Sequence, residues 1–518
     1  MILLVHPPVS RPSEPPPGLA RLAGALTAYR VPHRILDVNV EGLLFLLSRD
    51  LGHKKDTRTV RAFRHVSQNI ETLKNEKGYE NIDRYRKAVH ELNHLLQAPF
   101  DPASRRVQLG NYQDARFTPL KSENLLRMAR TPEENPFFPY FSNRLTALLE
   151  QETPGLIGFS LNYLSQAPAT FAMLGFLKRE APEVPRVLGG GLVTSWASRP
   201  GWKNPFTELV DHLVPGPGEE PLLALAGKGE AGMTACLPNL DGFPRNAYLS
   251  PGLILPYDTS SGCYWRRCAF CPERAEGKPY RPIPAGRVLE DVEILCRRHA
   301  PRLIHFVDNA LSPSLLRVLA GTRLPAPWYG FARVSGDLDD DDFLRCLRSS
   351  GCVMLKLGIE SGSQAVLDGL NKGIDVETAS RVLARLHRAG IVPYGYFLFG
   401  TPAETEETAR DTLRFIARHG SAMGFVNLAV FNLPTFGPES ERLETRDFYE
   451  GDLALYRDFE HPLGWNRDRV RIFIDRTVKR HPAVAAVLRR EPPTFGSSHA
   501  ALFAMAWKRS GENEFIPF

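Results

Sequence analysis

The sequence predicts an α/β protein of three parts: an N-terminal doubly wound parallel sheet, a partial (β/α)6 barrel and a C-terminal α-rich cap. Two separate runs of alternating strand-like and helix-like segments predict the first two parts, because this alternation is typical of parallel sheets. The length of 518 residues also exceeds what one hydrophobic core usually supports. We therefore expect domains at residues 1–230, 231–435 and 436–518.

The first run begins with a β–α–β pattern and resumes after an insertion. Short apolar runs that end in proline, polar residues or glycine predict the strands, and apolar residues at helical spacing predict the helices. Ligands bind such sheets outside the carboxyl ends of the strands. The segments lie at residues 1–6, 18–29, 34–38, 155–160, 167–179, 186–191 and 209–214.

The insertion, at about residues 43–150, is rich in charged and amide side chains. The spacing of Phe63, Val66 and Ile70 predicts an amphipathic helix, as does that of Tyr85, Val89, Leu92 and Leu96. A solvated helical lid and a substrate-docking element are both consistent with this pattern.

The second run predicts six strands whose carboxyl ends carry polar residues. Because the carboxyl-end loops of a β/α barrel build one site, we expect Asp308, Arg333 and Glu360 to lie at a single rim. Asp375 and Gly390 bound one connecting helix, and a capping box at Thr401–Pro402–Ala403–Glu404 predicts the start of another. The strands lie at residues 253–257, 303–308, 328–333, 353–360, 392–399 and 424–431.

Three of the seven cysteines, Cys263, Cys268 and Cys271, lie on one loop after the first barrel strand. Thiolates clustered in this way are typical ligands of an iron–sulfur cluster, here a 4Fe-4S cluster. A zinc site is the alternative, and it requires a fourth ligand such as His305 or Cys296. The remaining cysteines, Cys236, Cys296, Cys346 and Cys352, lie in or near apolar patterns and are expected to be packing residues.

The amino-acid composition indicates the cellular compartment of the protein and limits its possible partners. The odd cysteine count, without a disulfide framework, favours a reducing cytoplasm. Residues 1–5 predict a strand rather than a signal peptide, and we expect no membrane span. The net charge of +6, from 64 basic and 58 acidic residues, is too small to indicate nucleic acid as a partner.

The barrel region resembles the radical S-adenosylmethionine enzymes over most of its length. Gly358-Ile-Glu360-Ser-Gly-Ser-Gln364 with Leu370-Asn-Lys-Gly373, and Tyr396–Glu404, are similar to segments of that family, as is the cysteine loop. The family usually has three residues between its first two cysteines, whereas four separate Cys263 from Cys268. One extra residue can be absorbed within a loop, so we expect cluster binding to persist.

The resemblance implies a site for S-adenosylmethionine. Phe270 is similar to the aromatic residue that packs on adenine, and Arg333 suits the methionine carboxylate because its guanidinium matches carboxylate geometry. Glu360 is expected to accept hydrogen bonds from the ribose or the amino group, and Asp308 is assigned to the same ligand. Arg333 and Glu360 could instead pair with each other. No catalytic residue is assigned.

Residues 1–42 and 155–225 resemble the cobalamin-binding domain that precedes many of these enzymes. Its first signature is met in part by Asp37, Asn39 and Gly42, and Asn39 stands where a histidine would ligate cobalt from below. An amide is a poor transition-metal ligand, so we expect the lower face to be unligated or filled by water. An empty domain is the alternative. The other signature residues are Ser160, Leu161, Gly189, Gly190 and Gly191.

These resemblances imply a cobalamin-dependent radical enzyme, with methylation of an unactivated carbon as the expected reaction. A different radical step, such as cyclisation, rearrangement or oxidation, with or without cobalamin, is the main alternative. A non-catalytic iron–sulfur electron-transfer or sensor protein is a more remote one. We expect an unidentified small-molecule or peptide substrate and an electron donor such as flavodoxin or ferredoxin.

Overall fold

The chain is divided into two compact units in its computed structural model, which describes residues 1–49, 56–229, 236–447 and 450–509. One unit comprises Met1–Gly252 with Tyr449–Leu455, and the other comprises Leu253–Phe448 with Tyr456–Phe518. The predicted boundary at residue 230 lies outside the described residues, and the division into three domains remains a prediction. No helix within the described ranges is long and apolar enough to cross a membrane.

The first unit is built on a five-stranded parallel sheet with the order β2-β1-β5-β6-β7. The predicted doubly wound sheet is therefore confirmed. A small antiparallel hairpin, β3–β4, lies in the insertion. The strands are β1 (Ile2–His6), β2 (His33–Asp37), β3 (Arg105–Gln108), β4 (Asn111–Asp114), β5 (Leu156–Ser160), β6 (Arg186–Gly189) and β7 (His212–Val214).

Helices pack around this sheet and form most of the insertion. They are α1 (Pro17–Ala28), α2 (Val38–Ser48), α3 (Thr57–Arg64), α4 (Val66–Lys74), α5 (Ile82–Gln97), α6 (Ser122–Arg130), α7 (Phe138–Gln151), α8 (Ala167–Glu180), α9 (Gly191–Ala197) and α10 (Glu219–Leu225). Helix α8 is apolar on nearly every side and is buried along most of its length. Gly175 allows the backbones of α8 and α6 to touch, because a Cβ there would lie 1.8 Å from the Ala129 carbonyl oxygen.

The second unit contains the six predicted barrel strands as one parallel sheet, in the order β15-β14-β13-β12-β11-β8. A partial barrel of this kind brings the carboxyl ends of its strands to one rim. The strands are β8 (Ile254–Tyr257), β9 (Ser260–Ser261), β10 (Arg281–Pro282), β11 (Leu303–Phe306), β12 (Trp328–Ala332), β13 (Cys352–Glu360), β14 (Val392–Phe399) and β15 (Phe425–Val430). The connecting helices are α11 (Pro272–Ala275), α12 (Ala285–His299), α13 (Pro313–Ala320), α14 (Asp341–Ser349), α15 (Gln364–Gly369), α16 (Val376–Arg388) and α17 (Glu406–His419).

Of the two predicted connecting helices, one begins as expected and the other does not. Asp375 caps α16 through its side chain. Helix α17 has Thr405 as its N-cap, so the capping box predicted at Thr401 is wrong. The reason is Glu404, whose carboxylate turns inward and accepts hydrogen bonds from the Gly400 N–H and, at 2.9 Å, from the Trp465 indole N–H.

The segment after the barrel is mixed rather than purely helical. It adds a three-stranded sheet of β16 (Leu433–Pro434), β17 (Thr445–Arg446) and β18 (Tyr456–Phe459), in the order β16-β18-β17. Its helices are α18 (Pro438–Arg442), α19 (Arg467–Phe473), which continues into a π-helical turn, α20 (Pro482–Leu488) and α21 (Gly496–Arg509). On α21, Trp507 stacks on Phe425 of β15 with ring centroids 5.1 Å apart.

Candidate active site at the barrel rim

The three clustered cysteines lie on the loop between β9 and α11. The two ends of the longer loop that contains them are joined by antiparallel pairing of β9 with β10. Cys268 is buried, whereas Cys263 and Cys271 are partly exposed. The Ala269 N–H donates to the Leu370 carbonyl at 2.9 Å, which fixes the middle of the loop against the connection that follows β13.

The segment between Cys263 and Cys268 contains a residue in the left-handed conformation. Arg266 has φ of 50°, a conformation that few non-glycine residues adopt. The neighbouring Trp265 packs against Gly373, where a Cβ would lie 2.2 Å from the indole ring. Gly373 itself has a positive φ of 64°, so both its conformation and its size suit this contact.

Arg333, at the end of β12, is held against the cysteine loop. Its Nη1 lies 3.7 Å from the Cys268 sulfur, and its Nη2 donates to the Lys372 carbonyl. The guanidinium carbon lies 4.1 Å from the centroid of the Trp265 ring. Burial raises the pKa of the Cys268 thiol, while the positive charges of Lys372 and Arg333 oppose that shift. The two cations thus reduce, without cancelling, the cost of forming a thiolate at this buried sulfur.

Glu360, at the end of β13, pairs with Lys372 rather than with Arg333. The Lys372 Nζ lies 2.6 Å from the Glu360 carboxylate, and both side chains are nearly buried. The same ammonium lies 5.5 Å from the centroid of the Phe270 ring. A break in the strand register between Gly358 and Glu360, with φ of 69° at Glu360, turns this side chain at the rim. The structure thus brings Phe270, Arg333 and Glu360 together.

Sequence reasoning gave no role to Lys372 or Trp265. Lys372 lies in the Leu370-Asn-Lys-Gly373 segment, whose resemblance to the radical S-adenosylmethionine enzymes was the available signal. Trp265 lies inside the cysteine motif, and nothing in the sequence around it indicates that its ring packs against Gly373 and Arg333.

Asp308 holds the chain segment that comes directly before the cysteine loop. Its carboxylate accepts hydrogen bonds from the Thr259 N–H at 3.0 Å, the Thr259 hydroxyl at 2.7 Å and the Ser260 hydroxyl at 2.6 Å. Burial raises the pKa of Asp308, and these donors oppose the shift. The carboxylate therefore fixes the segment that leads to Cys263, and a direct role with S-adenosylmethionine remains a prediction.

The donor set fits an iron–sulfur cluster better than zinc. Within the described ranges, no three His, Cys, Asp or Glu side chains converge as a single-ion site requires. A four-iron cluster takes each thiolate on a different iron, so its ligands need not converge on one point. Of the fourth ligands considered for zinc, His305 stacks on Tyr329 with centroids 4.4 Å apart, and Cys296 is buried on α12.

The other cysteines are only partly as expected. Cys296 and Cys352 are buried, which confirms them as packing residues. Cys346 is exposed on α14, so its assignment to packing is wrong. It follows Arg345 on the solvent side of a helix whose apolar face is formed by Leu344 and Leu347.

A cavity of about 200 Å³ adjoins the cysteine loop. Its lining is mostly apolar and includes Phe270, which fits the packing of a flat, uncharged ring. The lining residues are Ala269, Phe270, Gly369, Leu370, Pro402, Ala403, Phe431 and Glu439.

In the first unit, five of the predicted residues meet at the carboxyl ends of β5 and β6. The Leu161 N–H donates to the Gly189 carbonyl at 2.8 Å, and a Cβ at Gly190 would lie 2.4 Å from the Leu161 carbonyl oxygen. Asn162, which sequence reasoning missed, accepts from the Gly191 N–H at 2.9 Å and donates to the Ser160 hydroxyl at 3.0 Å. Close backbone packing around small residues leaves an edge that fits a flat cofactor.

Asp37 and Asn39 lie at the start of α2 and serve contacts within the protein. The Asp37 carboxylate caps the helix through the Val40 N–H at 3.1 Å and accepts from the Tyr248 hydroxyl at 2.7 Å. Asn39 is 1% exposed, and its side-chain oxygen accepts from the Ser10 N–H at 2.9 Å. Asn39 therefore holds the loop after β1, whereas Asp37, the last residue of β2, joins the start of α2 to Tyr248.

Gly42 serves the packing of α2. A Cβ at this position would lie 3.1 Å from the ring of Phe137, so the helix can approach that ring closely only with glycine. The predicted cobalamin residues thus form one group at the ends of β5 and β6 and a second group at the end of β2 and in α2.

Comparisons with known proteins agree with this architecture. Residues 257–416 match the Radical SAM superfamily. The chain is also similar in structure to TsrM, a radical S-adenosylmethionine methyltransferase of Kitasatospora setae solved with its tryptophan substrate and an S-adenosylmethionine analogue. That likeness has a TM-score of 0.59 at 16% identity and covers 99% of each chain, which establishes the fold.

Two curated relatives are similar to part of the chain. An uncharacterized methyltransferase of Pyrococcus horikoshii is 26% identical over 233 residues, covering 40% of this chain and 50% of that protein. The anaerobic magnesium-protoporphyrin IX monomethyl ester cyclase of Rubrivivax gelatinosus is 28% identical over 155 residues, covering 28% of each. The chain thus matches half or less of the length of these relatives.

Proposed function

Because its barrel carries a radical S-adenosylmethionine domain, we propose that the chain is a cobalamin-dependent enzyme that methylates an unactivated carbon. The observation that carries the proposal is the contact network at the rim, in which Cys268, Arg333, Lys372 and Glu360 are joined. An electron carrier or sensor has no need for a buried ion pair and an apolar cavity beside its cluster.

In this proposal Cys263, Cys268 and Cys271 hold a 4Fe-4S cluster, and the chain's own charges orient S-adenosylmethionine. Lys372 and Glu360 present one positive and one negative group, which complement the two ends of an amino acid. Arg333 keeps the loop and the Cys268 thiolate in place, because its donors are already directed to both. Phe270 offers its ring to adenine at the wall of the cavity.

In the first unit, Ser160, Leu161 and Gly189–Gly191 are the residues placed to hold cobalamin. Asp37, Asn39 and Gly42 act indirectly, because they fix α2 and the loop after β1. When bound, the three cofactors supply an electron, a hydrogen-abstracting radical and a methyl group. The protein's part is to bind, orient and shield them.

Product analysis after anaerobic reconstitution tests the reaction. Because the substrate is unknown, candidate small molecules and peptides are added one at a time. If the reaction is methylation, S-adenosylhomocysteine and 5′-deoxyadenosine are expected to form together. Formation of neither product by cluster-loaded protein would contradict an enzymatic role.

Cyclisation or another radical reaction is the second candidate, and the likeness to the Rubrivivax gelatinosus cyclase favours it. This reaction predicts 5′-deoxyadenosine without S-adenosylhomocysteine. Protein purified from cells grown with cobalamin is then examined for corrinoid absorbance. Its presence or absence distinguishes a radical reaction that uses cobalamin from one that does not.

The proposal includes an external electron donor of the flavodoxin or ferredoxin type and a cytoplasmic location. An electron donor is needed because the cluster must be reduced before it can react. A cytoplasmic location suits cysteine thiols that must stay reduced.

A further inference from the structure

The segment that contains the three clustered cysteines is strongly basic. Between residues 261 and 282 the chain carries five basic and two acidic side chains, a net charge of +3, whereas all 518 residues together carry only +6. Half of the net positive charge therefore lies in one short segment around the proposed cluster. The charged residues of this segment are Arg266, Arg267, Glu273, Arg274, Glu276, Lys278 and Arg281.

The two acidic side chains of the segment are both paired with its lysine. The Lys278 ammonium lies 3.2 Å from the Glu273 carboxylate and 2.7 Å from that of Glu276. The carboxylates are thus directed to Lys278 rather than to the arginines. The excess positive charge of the segment therefore belongs to its guanidinium groups.

Three of these arginines, Arg266, Arg267 and Arg281, are exposed, and together they are called the basic surface. Within the part of the chain that the structure describes, none of the three is paired with a carboxylate. Arg267 instead lies over the Trp265 ring, with its guanidinium carbon 5.1 Å from the ring centroid. Because a guanidinium stays charged at any physiological pH, these groups present a permanent positive charge to an approaching partner.

The basic surface adjoins the cysteines from two directions. Two of its arginines directly precede Cys268 in the sequence. The third, Arg281 of β10, lies opposite Ser261 of β9 in the antiparallel pairing, two residues before Cys263. Cys263 and Cys271 are themselves partly exposed. A protein that binds the basic surface would therefore face the loop that holds the proposed cluster.

We propose that the basic surface docks an acidic electron-transfer protein that reduces the cluster. The inference rests on the proposed function, because it requires the 4Fe-4S cluster assigned to Cys263, Cys268 and Cys271. In this step the reduced donor protein gives up one electron and the cluster gains it, and no covalent bond forms or breaks. Complementary charges speed the encounter of two proteins and orient them, and salt weakens this effect.

Stopped-flow absorbance of the cluster-reconstituted full chain tests the docking. The electron donor is a chemically reduced flavodoxin of net negative charge. Between ionic strengths of about 0.01 M and 0.15 M the screening length falls from about 30 Å to about 8 Å. The second-order rate constant for cluster reduction is therefore expected to fall by about 10-fold or more over this range. No reduction by flavodoxin, or a rate constant that does not change with salt, would overturn the proposal.

Variants then assign the salt dependence to the basic surface. Arg266→Glu/Arg267→Glu is expected to lower the rate constant at low salt by about 10-fold or more, and Arg281→Glu to lower it by a smaller factor. The control, Arg323→Glu/Arg418→Glu, changes the net charge equally at two exposed arginines that precede β12 and β15, at the amino end of the barrel. It is expected to react as wild type does. Equal rate constants in the two double variants would contradict the assignment.

A small reductant separates docking from a change in the cluster itself. Reduced methyl viologen is a small cation that needs no docking surface, so it should reduce Arg266→Glu/Arg267→Glu protein no more slowly than wild type. Equal slowing with viologen and flavodoxin would assign the effect to the reduction potential of the cluster and overturn the proposal.

Nucleic acid is the other anionic macromolecule that a basic surface attracts. If it is the true partner, the same double variant loses affinity for a labelled single-stranded oligonucleotide but keeps the wild-type rate constant with flavodoxin. That result would also overturn the proposal.

The two proposals fail separately. If salt and the variants leave the flavodoxin rate constant unchanged while viologen-reduced protein still forms 5′-deoxyadenosine, the docking inference falls and the proposed function remains. If reduction depends on the basic surface while neither S-adenosylhomocysteine nor 5′-deoxyadenosine forms, the proposed function falls and the docking surface remains.

Discussion

The carboxyl edges of the two parallel sheets carry polar groups of different character. At the barrel rim, Arg333, Lys372 and Glu360 are charged and nearly buried, and they contact one another or Cys268. At the ends of β5 and β6 in the five-stranded sheet, the corresponding groups are an amide, a hydroxyl and glycine backbone. A charged rim suits ligands that carry charge, such as thiolate-bound iron and an amino acid. The neutral, glycine-rich ends of β5 and β6 suit close backbone contact with a large flat ligand.

The comparison predicts that changes to the cysteines and charges at the rim weaken or abolish ligand binding, whereas removal of the Asn39 amide in α2 mainly lowers stability. The largest effect is expected for replacement of Cys263, Cys268 and Cys271 by Ala. Iron content after reconstitution, measured by a colorimetric iron assay, should fall to background. Cys346→Ala, which alters an exposed cysteine on α14, is the control and should keep its iron. Unchanged iron in the triple variant would refute the cluster site.

The next effect concerns Lys372→Met. Removal of one buried charge that contacts a ligand costs about 1.5–3 kcal/mol, so the affinity for S-adenosylmethionine should fall by roughly 10- to 150-fold. Equilibrium dialysis of the cluster-loaded protein measures this change. Arg297→Gln, in an exposed pair with Glu293, should bind as wild type does. Wild-type affinity in Lys372→Met would assign Lys372 to structure alone.

A smaller effect is expected for Asn39→Ala in the first unit. The buried Ser10 N–H would lose its acceptor, which lowers the free energy of unfolding by about 1–3 kcal/mol. Denaturant unfolding measures the loss, and corrinoid bound per folded molecule should stay unchanged. Full stability with lost corrinoid would instead place Asn39 in contact with cobalamin.

The smallest effect concerns Glu404, an acid near the rim that is uncharged below neutral pH. Burial raises its pKa to about 7, and the N–H groups of Gly400 and Trp465 oppose the shift. Since the folded protein then binds the proton more tightly than the unfolded chain, this contribution to stability is present below about pH 4.5 and is lost as pH rises through 7. The midpoint of thermal unfolding should therefore fall less between pH 6 and 8 in Glu404→Gln than in wild type. Parallel pH profiles of the two proteins would contradict the raised pKa.

The sheets and the convergence of the rim could be predicted from the sequence, because each depends on regular alternation. The carboxyl ends of neighbouring parallel strands meet at one edge whatever side chains follow them, so Asp308, Arg333 and Glu360 lie at one rim as predicted. The partner of Glu360 could not be predicted, because Lys372 lies 12 residues further along the chain, beyond α15. The roles of Asp37 and Asn39 were ambiguous for another reason: the residues of a cofactor motif are also those that cap a helix.

The start of α17 shows a further limit. The sequence around Thr401 satisfies the local rule for a helix start, but Trp465, some sixty residues later, donates to Glu404 and removes it from the cap. Long-range hydrogen bonds of this kind override local propensity, and a single sequence gives no sign of them.

The pairing of β9 with β10 has a consequence for the assembly of the cluster. By joining the ends of the cysteine loop, it keeps Cys263, Cys268 and Cys271 in a small volume before any iron arrives. If these thiolates hold the proposed cluster, binding of iron to one of them would leave the other two at a high effective concentration rather than free to search as parts of an open chain. Two strands of two residues each would then speed cluster loading.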